Sequence, residues 1–108
     1  MNNIQINIYS STVKFTKLFL DLDKQIITLN QKEIKLNSLE FLAIMNRIME
    51  VAKTWDTTEL IDSTEYQKIE LSIHVPPLKN EYIFEQSVPS NINEIYSLIK
   101  ELEVKSYE

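Results

Sequence analysis

The 108-residue chain contains no glycine, and that absence constrains both its folding and its chemistry. Glycine is the residue that enters the left-handed backbone region without steric cost. A fold built without it must place its φ > 0 turn positions on the next most tolerant residues, Asn or Asp. A phosphate-binding P-loop, a dinucleotide-binding glycine turn and a Gly-x-Ser-x-Gly nucleophile elbow all need backbone that only glycine supplies. None of these can exist here.

The length points to one domain, residues 1–108, large enough to bury a core without a disulfide or metal staple. Cysteine is also absent, which removes disulfides, thiolate nucleophiles and zinc–thiolate sites. The net charge is −5, with acidic and basic residues interspersed. Nucleic acid is repelled by such a surface, and no basic stripe offsets the repulsion. No run approaches the roughly eighteen apolar residues of a membrane span. Met1 to Gln5 lacks the basic-then-apolar pattern of a leader. The expected location is therefore the cytoplasm, with no membrane and no nucleic-acid partner. Enrichment in Ile, Asn, Lys and Glu resembles the product of AT-rich coding, as in a low-GC bacterium or its phage.

Hydrophobic periodicity sets the order of elements. Ile4, Ile6 and Ile8 alternate with polar residues, a strand with one wet face. Val13, Phe15 and Phe19 fall on one face of the next strand and Leu18, Leu20 and Leu22 on the other, which predicts a central or covered position. Asp21 to Gln25 is a polar corner. Ile27 and Leu29, a turn at Asn30 to Glu33, then Ile34 and Leu36 complete a β-meander. Asn37 with Glu40 has capping-box spacing. Phe41, Ile44, Met45, Ile48, Ala52 and Trp55 follow at helical spacing, predicting an amphipathic helix from about Ser38 to Trp55. An acidic connector from Asp56 to Glu65 holds Leu60 and Ile61, expected to be buried by one helical turn. Tyr66 to Val75 is a strand that Pro76-Pro77 ends. A turn at Lys79-Asn80 and a return strand from Tyr82 to Val88 are expected. Asn91 and Glu94 are again in capping-box register, opening a helix with Ile92, Ile95, Ile99 and Leu102 inward and Tyr96 and Leu98 flanking. Lys105 to Glu108 is expected to fray. The fold class is α+β, a two-layer sandwich with a mostly antiparallel sheet and two helices on one face. Ile4 to Ile8 and Tyr82 to Val88 are the expected edge strands.

Four groups carry candidate chemistry. The stretch Leu18-Phe19-Leu20-Asp21-Leu22-Asp23 resembles the first motif of the haloacid-dehalogenase-like phosphatases. That resemblance implies Asp21 as nucleophile, Asp23 as general acid/base, and magnesium. The residues that follow depart from the family: Lys24-Gln25 leads straight into another strand where a Gly-Thr winding belongs, and a meander does not supply a doubly wound parallel sheet. A hairpin corner is the expected role, since Asp favours corners. His74, the one histidine, sits on the polar face beside Glu70 and Ser72. Residues two apart on a strand do not give a nucleophile–base contact, so a surface histidine is expected. Asp56, Glu59, Asp62 and Glu65 recur every three residues; a calcium loop needs alternate spacing and a glycine. They read as a solvated connector or an acidic patch for a basic partner. Tyr66, Tyr82, Phe84 and Tyr96 read as core, or as interface aromatics.

The expectation is a small acidic protein–protein interaction module without catalytic residues, metal or cofactor, with Asp56, Glu59 and Asp62 as its binding patch. Its composition is similar to that of immunity proteins and antitoxin-like inhibitors. A homo-oligomeric structural component, pairing through an open sheet edge, is the second class. A small hydrolase using Asp21 and Asp23 is the third.

Overall fold

A computed structural model of the chain describes residues 2–12 and 14–107; Val13, assigned above to a strand face, lies outside them. Among the described residues eight strands and two helices follow one another in the order β1 (Asn3–Ser10), β2 (Thr16–Asp21), β3 (Ile26–Leu29), β4 (Lys32–Ile34), α1 (Ser38–Thr54), β5 (Leu60–Asp62), β6 (Gln67–Val75), β7 (Leu78–Glu85), β8 (Ser87–Pro89) and α2 (Ile92–Ser106). Six strands form one sheet in the order β4-β3-β2-β1-β6-β7, and β5 pairs with β8 in a separate ribbon. Every pairing is antiparallel. This is the expected α+β architecture. No helix among the described residues is long and apolar enough to cross a membrane.

The period-2 pattern places the core. Ile4, Ile6 and Ile8 of β1 lie between Leu20 and Leu18 of β2 and Ile73, Leu71 and Ile69 of β6. With Ile27, Leu29 and Ile34 they form one continuous buried face. Burying each such aliphatic side chain contributes about 1.5–3 kcal/mol, so the register is strongly specified: a one-residue slip would turn the whole set outward. Both helices cover this face, with Phe41, Ile44, Ile48, Val51 and Ala52 of α1 and Ile92, Ile95, Leu98, Ile99 and Leu102 of α2 buried. The slab is 19 Å in its thinnest dimension, as two layers require.

Local chemistry accounts for the element ends. Asn37 caps α1 with both arms of a capping box: its side chain accepts from the Glu40 amide at 2.9 Å, and Glu40 accepts from the Asn37 amide at 3.1 Å. Positive φ occurs at Gln25, Asn30, Gln31 and Gln86. Only one of these four is Asn or Asp, so glutamine carries most of the load expected of those residues. Asn30-Gln31, both with φ > 0, make the two-residue hairpin turn that matches strand twist. The Asn30 side chain also accepts from the Lys17 amide at 2.8 Å.

Several expectations are corrected. β1 is central, hydrogen-bonded on both sides, because the chain returns after α1 to lay β6 against it. β2 is an interior strand, but no second layer covers its outer side: Phe19 is half-buried there, and Phe15 precedes the strand with its ring 4.8 Å from that of Tyr9. The β6–β7 turn is Pro76-Pro77, joined by a cis peptide bond, and Lys79-Asn80 lies within β7. Leu98 is core, placed there by the full width of the α2 stripe. Asn91 makes no side-chain cap, for a reason given below. α2 continues to Ser106, where Lys105 bonds Glu40 at 2.9 Å.

Candidate functional site

The acidic connector begins where α1 stops. The Trp55 amide donates to the Ala52 carbonyl and that of Thr57 to the Thr54 carbonyl, closing the last turns. Trp55 itself is buried and meets two rings of β7 edge-on, Tyr82 at 5.8 Å and Phe84 at 5.4 Å between centroids. Such pairs add about 0.5–1.5 kcal/mol beyond burial. The indole N–H donates to Asn91 Oδ1 at 3.0 Å, and Asn91 Nδ2 donates to Thr54 Oγ1 at 2.9 Å. Asn91 therefore ties the end of α1 to the start of α2, and its side chain is not available to cap its own helix.

From this anchor the connector runs outward as strand β5. Leu60 pairs with Pro89, Ile61 with Val88 and Asp62 with Ser87. The Ser90 amide donates to the Glu59 carbonyl at 2.8 Å and the Ser63 amide to the Gln86 carbonyl at 3.1 Å. The one-turn helix expected to bury Leu60 and Ile61 does not form. Thr57 and Thr58 are β-branched and weak helix formers, and the β8 backbone offers a ladder instead. All three β5 residues are exposed, with Leu60 at 48% and Ile61 at 47% of full exposure. Val88 and Pro89 on the partner strand are buried, so β8 faces the core and β5 faces water.

The structure places Asp56, Glu59 and Asp62 on this one exposed segment, with Glu65 following. Asp56 accepts from the Tyr82 hydroxyl at 3.2 Å. Burial, and then the Asp56 charge, raise the Tyr82 phenol above its ordinary pKa. Asp62 accepts from the Ser87 hydroxyl, and Glu65 from the Thr12 hydroxyl at 3.1 Å. Just before β6, Tyr66 donates to Glu85 at 2.9 Å; that bond raises the Tyr66 pKa. Among the described residues the ion pairs involve other carboxylates: Glu101, Glu50, Glu81 and Glu40. Asp56, Asp62 and Glu65 thus meet hydroxyls, which orient them without neutralising them. Two exposed aliphatic side chains sit among them.

The other candidates occupy other places. Asp21 ends β2, and its Oδ1 accepts from the amides of Asp23 and Lys24, both at 3.1 Å. That is an Asx-type turn. Asp23 accepts from the Asn2 amide at 3.2 Å and from Asn2 Nδ2 at 3.1 Å, pinning the start of the chain. His74 lies on the uncovered face of the sheet with Nε2 3.5 Å from Glu81 Oε1 on β7. Nε2 is enclosed and without a hydrogen-bond partner. Ser72 lies one pair along the strand, opposite Glu81. Among the described residues no three His, Asp or Glu side chains are grouped to hold a metal.

The sequence singles out the carboxylates and predicts burial for the aliphatic pair between them, whereas both aliphatic side chains are exposed. The available signal was length: a three-residue Leu-Ile-Asp run between Thr-Glu and Ser-Thr is too short for a helical stripe and matches a brief strand. Comparison with protein-family models, curated proteins and solved structures returned no match.

Proposed function

We propose that the protein is a non-catalytic interaction module, of the inhibitor or immunity type, that docks a basic protein in the cytoplasm. The observation that supports this most directly is the exposure of Leu60 and Ile61 on β5 amid Asp56, Glu59, Asp62 and Glu65. Apolar anchors inside a polar rim are the usual anatomy of a protein interface. The rim carboxylates steer a cationic partner in and set its register, and the aliphatic pair supplies the burial. β5 is fastened to β8, so the surface is largely preformed and little ordering is needed on binding.

The test is an affinity capture from the source cell with three baits: the native chain, Asp56→Lys with Glu59→Lys and Asp62→Lys, and Leu60→Ser with Ile61→Ser. One stoichiometric basic protein held by the native chain and lost by both variants is the expected result. Identical captures by all three baits, or a retained protein that is acidic, would overturn the reading. Self-association is a second reading, favoured by the length of the β7 edge.

A further inference from the structure

The six-stranded sheet ends at β7, and the phase of its hydrogen-bond ladder states which backbone groups remain open. The Gln86 amide donates to Gln67, and in an antiparallel pair bonded residues alternate. Phe84, Tyr82, Asn80 and Leu78 therefore face β6. The same phase follows from the other side of β6, where the Ser11 amide donates to Tyr66. The backbone groups of Lys79, Glu81, Ile83 and Glu85 consequently point away from the sheet, and their side chains share its uncovered face. Ile83 is 65% exposed and Leu78 48%.

Charged residues on an edge strand usually discourage pairing. Here the signs discourage pairing in some registers and favour it in others, of which one gives the longer paired run. A two-fold axis joins outward-facing residues to outward-facing residues. Centred on Glu81, pairing sets that carboxylate against its own copy. Centred on Ile83, it sets Glu81 against the partner's Glu85 twice. Centred on Tyr82, it sets Lys79 against the partner's Glu85 twice and Glu81 against the partner's Ile83, with no like charges opposed. Centring on Asn80 also joins opposite charges, but shortens the paired run to Leu78–Tyr82.

We infer that β7 is a self-recognition edge, and that a second copy of this chain adds to it antiparallel about Tyr82 to make a continuous twelve-stranded sheet. Main-chain bonds supply the attraction, as in β-strand addition generally. The Lys79–Glu85 contacts select the register, because opposite charges directly across a pair stabilise and like charges destabilise. This inference does not rest on the docking role assigned to β5.

Sedimentation of the purified chain over a wide concentration series is the direct test. The native chain is expected to move from its 12.7 kDa mass toward twice that value. Lys79→Glu alone and Glu85→Lys alone each create two like-charge contacts and should weaken the dimer roughly tenfold or more. The double variant, Lys79→Glu with Glu85→Lys, restores both contacts with reversed signs and should return to within about threefold of the native affinity. Both positions changed in these chains are exposed, and unaltered thermal unfolding at low concentration separates lost pairing from lost folding. A monomer at every concentration overturns the inference. So does a dimer indifferent to the single substitutions, or a double variant that stays as weak as the singles.

Discussion

The two ends of the sheet are built differently. At one end the edge strand is β4, only three residues long. The last turns of α2 lie beside it, and the Lys32 ammonium sits 5.2 Å above the Tyr107 ring. Beside it Lys105, in the last turn of α2, bonds Glu40 at 2.9 Å, and between the two helices Arg47 holds both oxygens of Glu101 at 3.0 and 2.7 Å. At the other end the edge strand is β7, eight residues long. Exposed Leu60, Ile61, Leu78 and Ile83 cluster on the elements of that end, with carboxylates that meet hydroxyl groups. A short, flanked edge protects a monomer, whereas a long edge bearing exposed aliphatic residues invites contact. On the interaction role proposed above, stability and recognition would fall at opposite ends of one slab.

The sharpest way to break this contrast is to truncate one aliphatic residue at each end. Ile27 on β3 is fully buried. Ile27→Ala should cost about 2–5 kcal/mol, the transfer loss plus a cavity. Ile83→Ala should stay within about 0.5 kcal/mol, as surface changes do. Denaturant midpoints measure both, and similar losses for the two variants would erase the distinction.

Next in size is a comparison of two asparagines. Asn91→Ala leaves the Trp55 indole N–H without its acceptor in a buried junction and should cost about 1–3 kcal/mol. Asn37→Ala removes an exposed cap and should cost about 1 kcal/mol. The sequence presents these two residues alike, each three positions before a glutamate at a helix start. Their roles differ because a tryptophan 36 positions away along the chain reaches one of them and not the other, and sequence spacing carries no record of that. The same limit recurs elsewhere. Strand periodicity and the helix stripes were legible because they follow from alternation and 3.6-residue pitch, so the sandwich and nearly every core residue could be read. Strand order was not, since whether β6 lies beside β1 or at an edge leaves the same alternation in Ile4, Ile6 and Ile8. The exposure of Leu60 and Ile61 was hidden for a related reason: it depends on β8, which follows 25 residues later.

The smallest expected effect concerns acid. Lys105 holds the Glu40 carboxyl below its ordinary pKa, the Asn37 amide assisting, and Arg47 does the same for Glu101. Both groups titrate lower folded than unfolded, so their contribution is complete above the unfolded value of about 4.3 and fades as pH falls through the folded one. Midpoints should drop below about pH 4.3. Glu40→Gln with Glu101→Gln should flatten that drop and lower stability at neutral pH. The Glu101 side chain is exposed and that of Glu40 partly so, so salt should shrink the effect.

The single tryptophan has a consequence for how this molecule can be observed. Its indole sits where α1 ends, α2 begins and β7 passes, hydrogen-bonded to one element and stacked edge-on against two rings of another. Its fluorescence is therefore an intrinsic, site-specific optical reporter of the β7 end of the slab, unconfused by any second emitter of its kind. Quenching and emission wavelength would register a partner arriving at β5 or β7 without any dye or label.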